Sequence, residues 1–165
     1  MKLKAALTIL SLSLAAGTAA AAGDPPPPPD DGKKKDAVLE RYSEASAKQD
    51  WKAAAAVLEE GVRKSPDNAD YHNLLAYSIR KGPSPDMSQV FRHYNEALRI
   101  DPKHKGAHEY LGEAYLMVGN LPKAKEHLAQ LERLAMGNAT AVNKLALLKA
   151  KIESGYYAKA LARLG

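Results

Sequence analysis

From Ala37 onward, apolar residues recur every three or four positions between charged ones, the period of an α-helix, and alternating β-branched runs are almost absent. The pattern also returns over a longer distance. Ala54, Val90, Ala124 and Ala158 lie 36, 34 and 34 residues apart; Leu58, Tyr94 and Leu128 follow four later, and Gly61, Ala97 and Leu131 three after those. Leu75-Ala76, Leu111-Gly112 and Leu145-Ala146 repeat with the same spacings, and Pro66 and Pro102 close the first two units. Self-similarity at this period predicts an all-α tandem array of helix pairs.

One stretch, EYLGEAYLMVGNLPKAKEHL at residues 109 to 128, shows what each unit requires. Antiparallel helices joined by a short turn approach closely only where small residues sit at the crossing and large ones fill the space beside it. Gly112 and Ala124 are the expected small residues, with Leu111, Tyr115 and Leu128 as fillers. Gly119-Asn120 supplies the turn, and Pro122 falls in the first turn of the second helix, where a missing amide costs little.

The spacing L-G-x-x-Y, G-N-L, A-x-x-x-L resembles the tetratricopeptide repeat, and residues 105 to 138 follow it almost position by position, with His108 where the family often has tryptophan. Residues 69 to 102 follow it through Leu75, Ala76, Ile79, Val90, Tyr94, Ala97 and Pro102, with two extra residues at Gly82-Pro83-Ser84-Pro85 that lengthen the turn. Residues 35 to 66 agree in their second half, through Trp51, Ala54, Leu58 and Pro66. Residues 139 to 165 are the weakest unit, with Lys149 in place of a tyrosine. The resemblance implies a right-handed superhelix of about four helix pairs, the last incomplete and the first to fray. Trp51 is expected to fill the core at the turn of the first pair. The resemblance also implies a concave groove lined by the first helix of each pair. Its positions here are Asp70, Asn73, Tyr77, Arg80 and Lys81 in one unit and Glu109, Glu113, Leu116 and Met117 in the next. Projecting from that groove, they would meet an extended or helical peptide, and truncating Asn73, Tyr77 or Arg80 would leave stability almost untouched. The family's version that clamps a C-terminal carboxylate uses a lysine and asparagine set, and Leu39 and Ser43 stand at the corresponding positions, so that mode is not expected.

The N-terminus has a different pattern. Lys2 and Lys4, the apolar run Ala5 to Ala16 and the small residues Ala20-Ala21-Ala22 form a secretory signal at residues 1 to 22, with cleavage expected before Gly23. Residues 23 to 36, GDPPPPPDDGKKKD, read as a solvated Pro-rich linker. Residues 37 to 165 form the repeat domain, placed in the periplasm or outside the cell, with no stable membrane anchor after cleavage. Removing Lys2 and Lys4 leaves 22 basic and 19 acidic residues, a net charge of +3 scattered among both signs, which does not favour nucleic acid. With no cysteine, disulfides, lipid attachment through an N-terminal cysteine and thiolate chemistry are excluded.

No nucleophile elbow, phosphate-cradling loop or cysteine nucleophile is present, so no enzyme is expected. Glu109 and Glu113 lie one turn apart and read as a solvated face. His104 falls in the turn before a helix, and His72 and His108 share the fourth position of their units, which points to packing between helices; no third ligand follows by spacing, so neither metal nor cofactor is expected. The sequence reads as a non-enzymatic adaptor or assembly scaffold for a protein or peptide partner. Two other readings are an accessory metal- or ligand-handling protein and a homo-oligomeric subunit assembling through its last unit.

Overall fold

A computed structural model describes residues 36 to 155, and every described element is helical. The order is α1 (Ala37–Ala47), α2 (Trp51–Lys64), α3 (Ala69–Lys81), α4 (Met87–Ile100), α5 (Lys105–Met117), α6 (Leu121–Ala135) and α7 (Ala139–Glu153). The expected signal segment, most of the linker and the end of the last unit, with Ala158, lie outside the described residues.

Each helix begins where the sequence offers a side-chain acceptor to the amides that have no intrahelical partner. Asp36, Asp50, Asn68, Asp86, His104, Asn120 and Asn138 fill the seven N-cap positions, each accepting from an amide two or three residues ahead. His104 is the unusual one. Its Nδ1 accepts from Ala107 N at 3.0 Å, which agrees with its expected place before the helix. Gly119 takes φ +73° in the α5–α6 turn, a left-handed conformation that glycine adopts without strain, and Pro122 follows in the first turn of α6. The α3–α4 turn runs over residues 82 to 86, longer than the three-residue turns at 48–50 and 118–120, as the two extra residues require.

Consecutive helices pack against each other throughout, and α5 additionally touches α3 and α7. The first helices α3, α5 and α7 therefore lie side by side as an inner row, with α4 and α6 behind them. The core is a seam along this array. Leu39, Tyr42, Leu58 and Leu75 fill its start, Val90, Tyr94, Tyr110 and Leu111 its middle, and Leu116, Leu131 and Leu148 its end. Trp51 bridges the first two clusters, half-buried, with its ring edge-on to Tyr77 at 5.7 Å.

Gly112 is indeed at a close approach, but the neighbour differs from expectation. A Cβ there would meet Leu148 Cδ2 at 2.6 Å and Cδ1 at 3.0 Å, so the crowding is with α7 of the next pair rather than with Ala124 of its own. Ala124 is fully buried all the same. The small residue thus sets the spacing between repeats. Leu148 cannot swing aside easily, because it is itself fully enclosed.

Candidate interaction face

The residues expected to line a groove fall on α3 and α5, and the structure separates them into two sets. Asp70, Lys81 and Met117 reach solvent in part. Asn73, Tyr77, Arg80, Glu109, Glu113 and Leu116 are buried, none more than 8% exposed. The reason is the proximity of neighbouring first helices, which cover much of each other's inner surface. The expectation that truncating Asn73, Tyr77 or Arg80 would leave stability untouched is therefore corrected: these groups are enclosed by the fold. The reading of Glu109 and Glu113 as a solvated face is corrected for the same reason.

Buried charge requires partners, and the inner row supplies them across repeats. Arg80 on α3 pairs with Glu113 Oε2 on α5 at 2.9 Å, and Lys151 on α7 takes the other carboxylate oxygen. Arg80 also donates from Nε to the Tyr94 hydroxyl at 3.3 Å, with its guanidinium carbon 5.3 Å and 5.8 Å from the ring centroids of Tyr77 and Tyr110. Lys144 lies 2.7 Å from Glu109 Oε2, near enough for an ion pair although off the direction of a hydrogen bond, and donates to the Tyr110 hydroxyl at 3.1 Å. Burial pushes the Glu109 carboxyl up to about 7, against the opposing pull of Lys144.

At the C-terminal end of the row, Lys81 forms no ion pair among the described residues and sits 5.6 Å from the Trp51 ring centroid. Burial, then the charges of Arg80 and Lys151, hold its amine below the ordinary lysine value. At the opposite end, His104 Nε2 meets Asp70 Oδ1 at 3.0 Å, tying the α5 cap to the first turn of α3. Asn73 turns its amide nitrogen toward Gly106, while its buried Oδ1 has no partner among the described residues. Lys144 and Lys151, which complete the row, were not anticipated from the sequence; both sit on the helix with the weakest repeat pattern.

Behind the row, the histidines form two like pairs. His72 Nδ1 and His93 Nδ1 are 2.9 Å apart, and His72 Nε2 is 2.9 Å from the Pro66 carbonyl oxygen. His108 and His127 repeat this at 3.0 Å, with His108 Nε2 3.0 Å from the Pro102 carbonyl. A carbonyl only accepts, so His72 and His108 carry their proton on Nε2 and accept at Nδ1; His93 and His127 must donate from Nδ1. Burial first, then the facing imidazole, depresses both His93 and His127 to about 4. The packing role expected of His72 and His108 is therefore observed. Their partners were legible only by applying the repeat period to the second helices, since His93 and His127 also lie 34 residues apart.

Among the described residues, no group of three or more His, Cys, Asp or Glu side chains converges as a metal cluster, and no helix is long and apolar enough to cross a membrane. An open recess of about 540 Å³ lies at the α2–α3 turn beside Ile100, away from the inner row. Residues 93 to 126 match the tetratricopeptide repeat family, a window running from the middle of α4 through α5 into α6. No curated protein matches the chain.

Proposed function

Since the chain is a tetratricopeptide-repeat protein, we propose that it is an exported, non-enzymatic adaptor or assembly scaffold whose inner helix row receives a segment of a partner protein. The cross-repeat ladder of Arg80, Glu113 and Lys151 carries this reading, because it fastens α3, α5 and α7 into one surface before any partner arrives. A prearranged surface loses less freedom on binding than three independent helices would. The contacting groups are those that reach solvent in part: Lys81 above Trp51, the Met117 side chain, whose sulfur accepts from Arg80 Nη1 at 3.7 Å, and the Asp70 carboxylate. They combine a cation, an adaptable apolar group and an anion along one face. The enclosed residues act beneath them as support. Export belongs to the same reading and rests on Lys2, Lys4, the apolar run and Ala20-Ala21-Ala22.

Capture from a cell-envelope fraction, followed by titration of the recovered partner, tests the proposal. Lys81→Glu and Met117→Ala should weaken binding by about 1–3 kcal/mol each, while Lys125→Glu on the exposed side of α6 should not. Equal affinities for all three, with the helical spectrum intact, would place binding elsewhere.

A further inference from the structure

We propose that the corner formed by Trp51, Lys81, Met117 and Lys151 docks an acidic segment of the partner protein, with a side-chain carboxylate of that segment seated on Lys81. This rests on the inner-row reading above and names the chemistry that the row receives.

Positive charge is uncompensated at this corner. Arg80 and Lys81 on α3 and Lys151 on α7 bring three cations together, and Glu113 is the carboxylate between them. Both of its oxygens are already engaged, Oε2 by Arg80 at 2.9 Å and Oε1 by Lys151. Lys144 likewise holds Glu109, whereas Lys81 has no ion pair among the described residues. Lys81 is also half-buried, so water replaces the missing anion only in part. The carbonyl end of α3 offsets some of this charge, yet burial and the charges of Arg80 and Lys151 still hold the amine below its ordinary value. An ammonium in this position opposes the folded state, and an incoming carboxylate relieves it.

The surroundings select a side-chain carboxylate over other anions. Lysine amines are point charges that accept a carboxylate from many directions, and the planar fork of Arg80 is occupied by Glu113 and the Tyr94 hydroxyl. Phosphate gains most from free guanidinium forks or from the N–H groups of a helix N-terminus. This corner instead lies at the C-terminal ends of α3, α5 and α7. Apolar surface adjoins the cations: the Trp51 ring centroid is 5.6 Å from Lys81 Nζ, and the Met117 sulfur accepts from Arg80 at 3.7 Å. An acidic residue beside an aliphatic one matches that mixture. Asp70 gives the row a direction. It lies in the first turn of α3, about 16 Å along the helix from Lys81, and repels acidic groups at that end.

The probe is hexaglutamate, acetylated and amidated so that its carboxylates are all side chains, titrated into the isotope-labelled full chain at low salt. The Trp51 indole and Met117 methyl resonances should shift saturably. The dissociation constant should rise about tenfold in Lys81→Met and return close to the original in Lys81→Arg. Lys125→Met, which removes the same charge from the exposed side of α6, should change it by less than about twofold. Because the Lys81 charge opposes the fold, Lys81→Met should leave the urea midpoint equal or higher, which a merely structural lysine would not do. A neutral hexapeptide with a free C-terminal carboxylate, and inorganic phosphate, should give no saturable shift at the same concentrations. The assignment would be overturned by no saturable shift with hexaglutamate, equal weakening by Lys125→Met, a lowered midpoint in Lys81→Met, or saturation by either control anion. If Lys81→Glu still weakened the captured partner in that event, binding to the inner row would stand without an acidic segment.

Discussion

Replacing Arg80 by methionine should be among the most damaging single changes in the array. The guanidinium is 8% exposed, lies 2.9 Å from Glu113 and bonds to Tyr94, so its loss strands a carboxylate that is itself only 4% exposed. Removing one member of a buried ion pair typically costs about 3–5 kcal/mol. Two features place Arg80→Met toward the lower end. Lys151 still neutralises Glu113, and methionine refills part of the space beside Tyr77 and Tyr110. That cost includes the lost guanidinium contact with those rings, about 0.5–1 kcal/mol of it, so the total is roughly 3 kcal/mol. With a urea dependence of about 2 kcal/mol per molar, the midpoint should fall by about 1.5 M. Trp51, the sole tryptophan and 5.7 Å from Tyr77, reports the transition by fluorescence. The decisive comparison is the cycle through Glu113→Met and the double variant: two apolar replacements together should recover at least about 1 kcal/mol of the summed single losses. A loss below about 1 kcal/mol for Arg80→Met, or strict additivity in the cycle, would refute the view that a buried charge network holds the inner row.

Three further outcomes follow from the packing. Gly112→Leu should lower stability by about 1–3 kcal/mol through collision with Leu148, despite leucine's better helix propensity, and an unchanged denaturation midpoint would count against the close approach of α5 and α7. Asn120→Ala removes the acceptor of the Lys123 amide and should cost about 1 kcal/mol in thermal or urea unfolding, whereas Asn120→Asp, which keeps a capping oxygen, should avoid most of that loss. In hydrogen exchange, amides of α7 should exchange faster than those of α5, because Val142 and Leu147 stay 48% and 50% exposed while α5 is enclosed along most of its length; the reverse order would mean that something covers α7 in solution.

The helices, their order and their turns were legible because each rests on local chemistry: a cap residue, a Gly-Asn turn, a proline in a first turn, an insertion that lengthens one connection. The repeat period extended this to relations between units, and it placed Gly112 correctly at a tight contact. It could not say which neighbour would be tight. Register fixes the direction in which a side chain leaves its helix, whereas the distance to the next repeat depends on every interface together. Tyr77 and Arg80 were therefore expected in the open and are found enclosed. Glu113 shows the same limit from the other side: an i, i+4 pair of carboxylates is ordinarily solvated, and only the arrival of Arg80 and Lys151 from other units makes its burial tolerable. His93 and His127 were missed for a simpler reason. They are polar residues between the small and large apolar positions that mark the second helices, and they obey the same 34-residue period.

The ladder from Arg80 through Glu113 to Lys151 changes how the array should come apart. A linear repeat protein behaves like a row of dominoes, each held by its neighbour, and its ends can melt while the middle persists. Here Glu113 is shared, so withdrawing α7 leaves the central carboxylate with one cation instead of two, and withdrawing α3 does the same from the other side. Each departure weakens the remaining contact's surroundings, which raises the coupling between units relative to their intrinsic stability. The three units joined by the ladder should then melt over a narrower interval than independent neighbours would, and charge-neutral replacement of the ladder should broaden that interval even where the midpoint is preserved.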